Sequence, residues 1–199
     1  SDGDSEVILK AYAEWGEQCP LRLQGVFAFA IWDTARQILF MARDRFGIKP
    51  LDYSLASGHL RFASTRPALL LAGDVNTAID PVALHHHFSL HAVVPAPRTL
   101  LRGIRKLQPG HSMTVDMDGR GRVERYWQLD LSRQYPTMTE WEWIEATHEA
   151  LRKAVERRRS VADVPVGILL SGGLDSSLLV ALLAEVGGGD LLTYSVGFE

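Results

Sequence analysis

The sequence predicts two domains of different fold class, an α+β domain followed by an α/β domain. The first prediction rests on three pairs of short β-type segments joined by tight turns, which are typical of antiparallel sheets. The second rests on a glycine-rich loop that joins an apolar strand to a helix, followed by another apolar strand, as in a βαβ unit. Between them, residues 128–139 lose periodicity, so we place the domains at 1–128 and 140–199 and a linker at 129–139.

The elements of the first domain follow from local patterns. Apolar residues recur at helical spacing over 6–15, and Asp4 or Ser5 is the candidate N-cap of that helix. Strand pairs are predicted around turns at 34–36, 56–58 and 118–119. Two short helices are expected, one within 67–73 and one opened by the Asp80-Pro81 pair.

The second domain begins with a predicted helix over 140–159 that ends in three arginines. A strand at 166–170, a helix at 176–187 and a strand at 191–196 then follow. Because both strands are apolar nearly throughout, we expect a parallel pair that is covered on both faces and joined by a right-handed crossover. Two strands cannot cover their own edges, so we expect a partial domain, and the first residue, not being Met, suggests a start further upstream.

Composition excludes several classes of function. The 199 residues include 21 basic and 24 acidic side chains, and this net charge of -3 provides no excess positive field for nucleic acid. Cys19 is the only cysteine, which excludes a disulfide framework and a multi-thiolate zinc site. No apolar run reaches the length of about 18 residues that spans a membrane. We therefore expect a cytoplasmic protein that acts on small molecules, without nucleic-acid or membrane partners.

The most informative segment is the loop at 171–177, which reads Ser-Gly-Gly-Leu-Asp-Ser-Ser. It leaves the carboxyl end of a strand and opens a helix, where free N–H groups and the helix dipole favour an anion. Two glycines allow phosphate oxygens to approach the main chain, and three serines offer hydroxyl donors. The loop therefore predicts a phosphate-binding site. It has neither the lysine of the P-loop nor the spacing of the dinucleotide-binding fingerprint.

An S-G-G-x-D-S loop resembles the pyrophosphate loop of the ATP pyrophosphatases, which split ATP into AMP and pyrophosphate. The resemblance implies that four loop residues hold the pyrophosphate: Ser171, Gly172, Gly173 and Ser176. It makes Asp175 the candidate residue to approach Mg²⁺, which prefers a carboxylate together with phosphate oxygens and waters.

Two longer matches make the resemblance more specific. Residues 163–177 are similar to the start of the synthetase domain of the asparagine synthetase family, where the positions of Leu170 and Val196 contact ATP. Residues 23–33 and 42–51 resemble that family's glutaminase domain, an N-terminal-nucleophile sandwich of two antiparallel sheets. The second domain would then be the first βαβ unit of an ATP-pyrophosphatase (adenine nucleotide alpha hydrolase-like) fold.

The family resemblance implies a complete reaction. Glutamine is hydrolysed in the first domain, and the ammonia amidates a carboxylate that is activated as an acyl-AMP in the second. The expected cofactors are ATP and Mg²⁺, and the expected substrates are glutamine with aspartate or a short peptide carboxylate. A homodimer is the expected assembly.

Within the first domain, the resemblance makes Asp4 the ligand of the glutamine α-amino group. The nucleophile would be an N-terminal cysteine that we expect upstream of residue 1, and the family's other glutamine-pocket segments are missing from this chain. We interpret Cys19 as a half-buried structural thiol. Four charged residues at the end of the second β-type segment are interpreted mainly as structural pairing: Arg43, Asp44, Arg45 and Lys49.

Other signals leave alternatives open. His87 and His91 have a spacing that could clamp zinc, but no third ligand is evident, and we favour a polar helix face. The stretch Ser64-Thr65-Arg66-Pro67-Ala68-Leu69 replaces the family's usual Ser-Glu-x-Lys-(Ala/Gly)-Leu and, with residues 91–99, is closer to an N-acetylglutaminylglutamine amidotransferase branch. A tRNA-modifying ATP pyrophosphatase and a non-catalytic binding module are the alternatives from other classes.

Overall fold

The computed structural model describes residues 3–132, 134–135, 137–162, 164–187 and 191–197. The chain divides into two compact units, residues 1–131 and 132–199. The helices of the first unit are α1 (Asp4–Trp15), a 3₁₀ turn (Gly16–Gln18), α2 (Cys19–Arg22), α3 (Arg66–Leu70) and α4 (Pro81–Ser89). Its strands are β1 (Ala28–Asp33), β2 (Ile38–Arg43), β3 (Asp52–Ala56), β4 (His59–Ala63), β5 (Arg105–Lys106), β6 (His111–Asp116) and β7 (Gly121–Arg125).

The strands of the first unit form two antiparallel sheets. One sheet has four strands in the order β1-β2-β6-β7, and the other has three in the order β4-β3-β5. All three hairpins predicted from turn patterns are present, with residue 28 opposite 43, 52 opposite 63 and 111 opposite 125. The predicted α+β class is therefore confirmed, and the long-range pairing of β2 with β6 joins the first hairpin to the third.

The two sheets share a core, which makes the unit a sandwich. Met41 of β2 and Met113 and Val115 of β6 pack with Tyr53 of β3, while Leu60 of β4 packs against this cluster. Because side chains alternate along a strand, the opposite face of β2 carries Phe40 and packs elsewhere. The core thus sits between the sheets, and each sheet has a second face for a helical layer.

Helix α1 covers the outer face of the four-stranded sheet. Ala11 and Tyr12 of α1 pack with Phe40 and Ala42 of β2, in a cluster that also contains Cys19. The predicted cap is wrong: the helix begins at Asp4, its N-cap is Gly3, and no side chain caps it. The predicted apolar side of α1 is also only partly buried, since Val7 and Trp15 remain exposed.

Cys19 is fully buried rather than half-buried, because α2 brings it directly against the sheet. Burial raises the pKa of its thiol from 9.0 to about 11, since the low-dielectric surroundings disfavour the thiolate. The folded state therefore holds this proton more tightly than the unfolded chain. The stability this proton contributes is complete below the unfolded pKa and is lost as the pH rises through the folded value.

We expect Cys19 to resist alkylation in the native protein. At pH 8.5, a thiol pKa of about 11 in place of 9.0 reduces the thiolate fraction by about a hundredfold, and burial adds a steric barrier. Iodoacetamide labelling followed by mass spectrometry should show slow modification of native chain and fast modification in urea. Equal rates in the two conditions would contradict the buried position.

The second unit contains α5 (Glu140–Ser160), β8 (Gly167–Leu169), α6 (Leu174–Gly187) and β9 (Leu192–Tyr194). Strands β8 and β9 pair in parallel, with residue 167 opposite 192, which confirms the predicted βαβ unit. The strands are shorter than predicted, and α6 begins two residues earlier. Thr139 opens α5 with a capping box: its hydroxyl accepts from the Glu142 N–H, and the Glu142 carboxylate accepts from the Thr139 N–H.

The expected cover on both faces of the parallel pair is not observed among the described residues. Leu169 is 81% exposed and Tyr194 is 59% exposed, while α6 buries Leu182 and Leu183. Helix α5 buries none of its predicted apolar side. The predicted C-terminal position of the arginines is confirmed, but Arg159 donates to the Val186 and Gly187 carbonyls at the end of α6, at 3.0 and 2.5 Å, rather than to its own helix.

Candidate functional site

The 171–177 loop lies where the sequence placed it, at the carboxyl end of β8 and the start of α6. Gly172 has φ +81°, a left-handed conformation that residues with a Cβ adopt only at a cost. A Cβ built on Gly172 meets no atom within 4 Å, so the space beside its main chain is open. Backbone shape and open space together fit the close approach of a phosphate group.

The serines of the loop form a small hydrogen-bonded cluster. The hydroxyls of Ser171 and Ser176 lie 3.1 Å apart. The Ser176 hydroxyl also donates to the carbonyl of Gly173 at 3.1 Å, and the Gly173 N–H points to the Ser171 oxygen at 3.5 Å. These contacts join both ends of the loop, so the structure brings together the four residues for which a pyrophosphate role was predicted.

Leu170 is held on both sides of its peptide unit by the end of β9 and the residue that follows it. Its N–H donates to the Tyr194 carbonyl at 2.8 Å, and its carbonyl accepts from the Ser195 hydroxyl at 2.8 Å. Sequence reasoning missed Ser195, although a serine beside Val196 in an otherwise apolar segment was the available signal. Val196 follows the end of β9 and is exposed, so its side chain is available to a ligand.

The first turn of α6 contributes main-chain donors. An α-helix leaves the N–H groups of its first residues without intrahelical partners, and the Ser177 N–H is bonded back to the Gly173 carbonyl at 3.1 Å. Asp175 lies in this turn, is exposed, and is the acidic residue there. The loop therefore combines unpaired donors, hydroxyls and one carboxylate at a helix N-terminus.

A metal bound wholly by protein side chains does not fit the described residues, since no three His, Cys, Asp or Glu side chains come together. A lone carboxylate fits the way Mg²⁺ is commonly bound, through one or two carboxylates, substrate phosphates and waters. Asp175 is thus suited to Mg²⁺ only in company with a phosphate ligand. The zinc interpretation of the histidines has no support from the helix either, because α4 ends at Ser89 and His91 has φ +49°.

Asp4 occupies the first turn of α1 and is exposed. Its carboxylate makes no capping bond to the helix. The side chain is thus available to a ligand, and its assignment to glutamine stays a prediction.

The charged group around Arg43 is structural, but it does not act by mutual pairing. Arg43 donates to the carbonyls of Gly47, Lys49 and Leu107 at 2.7–2.8 Å. Asp44 accepts from the N–H groups of Phe46, Ile48 and Lys49 at 2.9–3.1 Å. These hydrogen bonds satisfy main-chain carbonyls and N–H groups of the 44–49 loop and hold the loop beside β5.

Comparison with known families covers most of the chain. Residues 1–127 match the family model of a glutamine amidotransferase domain, and residues 146–199 match that of asparagine synthase. Among the described residues, none of the helices combines the length and the continuous apolar character that a membrane-spanning helix needs.

Curated relatives match over nearly all of this chain. Asparagine synthetase (glutamine-hydrolysing) 3 of Bacillus subtilis is 36% identical, over 98% of this chain and 32% of its own length. Asparagine synthetase 1 of that species is 37% identical, over 100% and 30%. A putative asparagine synthetase 2 of Methanocaldococcus jannaschii is 34% identical, over 98% and 38%. The chain therefore spans only 30–38% of the length of these relatives.

Among solved structures, glutamine phosphoribosylpyrophosphate amidotransferase of Bacillus subtilis, complexed with ADP and GMP, aligns with a TM-score of 0.45. Its sequence identity is 18%, over 98% of this chain and 39% of that one.

Proposed function

This chain belongs to the glutamine amidotransferase domain family, and from that premise we propose that the complete protein is a glutamine-dependent, ATP-consuming amidotransferase of the asparagine synthetase type. The observation that carries the proposal is the 171–177 loop, which follows a glutamine amidotransferase domain in the same chain and opens a helix with an exposed carboxylate. Curated relatives named as glutamine-hydrolysing asparagine synthetases support it.

The loop's part in the reaction is electrostatic. ATP supplies the activation of the acceptor carboxylate, with pyrophosphate as the leaving group. The Ser171 and Ser176 hydroxyls and the main chain at Gly172 and Gly173 hold the departing oxygens. The bonds within the loop hold the serine oxygens and the main chain in place, and the hydroxyl hydrogens turn from their loop partners to the departing oxygens as charge develops. Leu170 and Val196 line the nucleotide, and Ser195 fixes the carbonyl of Leu170.

Asp175 is the proposed residue that approaches Mg²⁺, which would neutralise the phosphate charge. In the first unit, Asp4 is the proposed partner of the glutamine α-amino group. The nucleophile is proposed to be a cysteine thiol upstream of residue 1, activated by its own free α-amino group. Cys19 is excluded from this role because it is fully buried and its pKa is raised.

The acceptor is proposed to be aspartate, with N-acetylglutaminylglutamine as the second candidate. The second is favoured by the departure at 64–69, where Arg66 and Pro67 begin α3. A cytoplasmic location and a homodimer complete the proposal. A tRNA-modifying pyrophosphatase is not favoured, because residues 1–127 match a glutamine amidotransferase domain.

The complete protein tests the function directly. We expect pyrophosphate release that requires ATP, glutamine and one of the two acceptors, with glutamate and the amide formed in equal amounts. Aspartate and N-acetylglutaminylglutamine should be compared at equal concentration. Absence of acceptor-dependent pyrophosphate release with both compounds, and with ammonia in place of glutamine, would contradict the proposal.

Asp175→Asn tests the metal assignment. The amide is close in size to the carboxylate but carries no charge, so we expect ATP-dependent amidation to fall by about a hundredfold and to need more Mg²⁺ for half-maximal rate. Glutamine hydrolysis should remain. The control is Asp118→Asn, which removes an exposed charge from the β6–β7 turn. Unchanged amidation and unchanged Mg²⁺ dependence in Asp175→Asn would show that Asp175 has no part in metal binding.

A further inference from the structure

A polar cleft of about 360 Å³ opens beside the three-stranded sheet. Its walls come from the end of β2, the start of β3, the end of β5 and the turn between β4 and α3. Its lining residues are Arg43, Pro50, Asp52, Ser64, Thr65, Arg66, Pro67 and Lys106. Helix α1 packs on the other sheet. This cleft is therefore separate from Asp4 of α1, the residue that we propose binds glutamine.

The cleft carries an excess of positive charge. Arg43, Arg66 and Lys106 face one carboxylate, that of Asp52, which leaves an excess of two positive charges among the lining residues. Asp52 is largely buried and is paired with the Arg66 Nε at 3.1 Å. The nearby Asp44 also attracts Arg43, and counting it still leaves one cation without a counter-charge.

The positive groups act on one another. The pKa of Lys106 is lowered, first because burial disfavours its charged form and next because Arg66 repels it, with Arg43 adding repulsion and Asp52 opposing it. An anion placed between two cations in a partly buried space offsets the electrostatic repulsion between them. In this chain Thr65 stands where the family resemblance has glutamate, so position 65 does not supply that anion.

Several donors in the cleft are unused. The Arg43 guanidinium donates to three carbonyls. Lys106 donates one hydrogen to the Val94 carbonyl at 2.5 Å, which leaves two of its ammonium hydrogens without an acceptor in the described part of the chain. Among the described residues, the terminal nitrogens of Arg66 and the hydroxyls of Ser64 and Thr65 have no hydrogen-bond partner. The free donors and the excess charge thus occur at the same place.

We propose that this cleft binds a small oxyanion, a carboxylate or phosphate group, between Arg66 and Lys106. The terminal nitrogens of Arg66 would bind two oxygens in the fork geometry that guanidinium groups favour, and Lys106 would act as a point charge. Ser64 and Thr65 would complete the ligand shell as hydroxyl donors. The site is independent of the proposed amidotransferase activity, since it uses none of the loop residues.

The test is equilibrium dialysis of labelled inorganic phosphate against the complete protein at constant ionic strength. The 171–177 loop is the other proposed phosphate site, so the binding lost in Ser176→Ala measures the contribution of that loop to the total. We expect Arg66→Gln and Lys106→Met each to weaken one class of site by about tenfold, which corresponds to about 1.4 kcal/mol. Arg120→Gln, at an exposed arginine in the β6–β7 turn, is the matched control and should bind as the parent does.

Competition identifies the source of the anion. Displacement of phosphate by L-glutamate or acetate in the parent, but not in Arg66→Gln, would assign the site to carboxylates; displacement by phosphate esters alone would assign it to phosphates.

Circular dichroism checks the fold of each variant, and Arg66→Lys keeps the charge while removing the fork. Crystals soaked with tungstate should show an anomalous peak between Arg66 and Lys106. Equal binding in the parent, Arg66→Gln and Lys106→Met, or no peak in the cleft, would overturn the proposal, while loss of loop binding alone would not.

Discussion

Replacing Gly172 with alanine is expected to reduce ATP-dependent pyrophosphate release by about a hundredfold, because preorganised main-chain donors are worth about that much in charge stabilisation. Gly172 has φ +81°, where a Cβ costs about 1–2 kcal/mol. The added methyl also enters the open space that a phosphate oxygen is proposed to use. The strain and the obstruction act in the same direction, so the effect should exceed that of either alone.

Gly119→Ala is the matched control for this experiment. Gly119 has φ +77° and open surroundings, like Gly172, but it lies in the β6–β7 turn. The backbone cost is therefore similar, while no ligand is involved. We expect Gly119→Ala to lower stability slightly and to leave pyrophosphate release unchanged. Glutamine hydrolysis should survive in both variants. A Gly172→Ala enzyme with the parent's rate would show that the loop does not contact the nucleotide.

The second large effect is expected on stability, from Asp44→Ala. Asp44 is only 1% exposed, and its carboxylate accepts three main-chain N–H groups. Alanine leaves those donors without partners and removes the charge that faces Arg43. Since an unsatisfied buried donor costs about 1–3 kcal/mol, and water can reach part of this loop, we expect a total loss of about 3 kcal/mol.

Hydrogen exchange of the complete chain measures this loss without assuming that both units unfold together. Peptides from β2 and β6 should lose protection in Asp44→Ala, while peptides from α6 should not change. Asp44→Asn keeps one acceptor oxygen and should fall between the parent and alanine. Asp118→Ala, at an exposed acid 3.5 Å from Arg120, should exchange as the parent does. Equal protection in Asp44→Ala and Asp118→Ala would contradict a structural role for Asp44.

The hairpins and the loop were predictable because their signals are local. The turn around residues 118–119 and the glycines of the 171–177 loop constrain the backbone through their own conformational freedom. The boundaries were less accurate, and the cap at Asp4 was wrong, because the end of a helix depends on which neighbours satisfy its N–H groups.

Longer-range features were not predictable. The charges at Arg43 and Asp44 suggested ion pairing, but the fold places carbonyls and N–H groups against them instead. Ser195 gave little signal, since its hydrogen bond to the Leu170 carbonyl depends on the parallel register of β8 and β9. Likewise, residues 52, 66 and 106 are distant in sequence, and the pairing of β3 with β4 and β5 brings them to one cleft. Arg43 reaches the same cleft from the other sheet, where it ends β2.

The sequence by itself determined the two fold classes, the position of the 171–177 loop between a strand and a helix, and the glutamine amidotransferase family to which the chain belongs. Each of these depends on residues that are close along the chain, where backbone conformation is set by neighbours. Only the tertiary structure decided which face of each strand is buried, how Arg43 and Asp44 are used, and that Arg66 and Lys106 share a cleft. Those facts depend on contacts between distant segments, because sheet register and burial set the solvation of each charge.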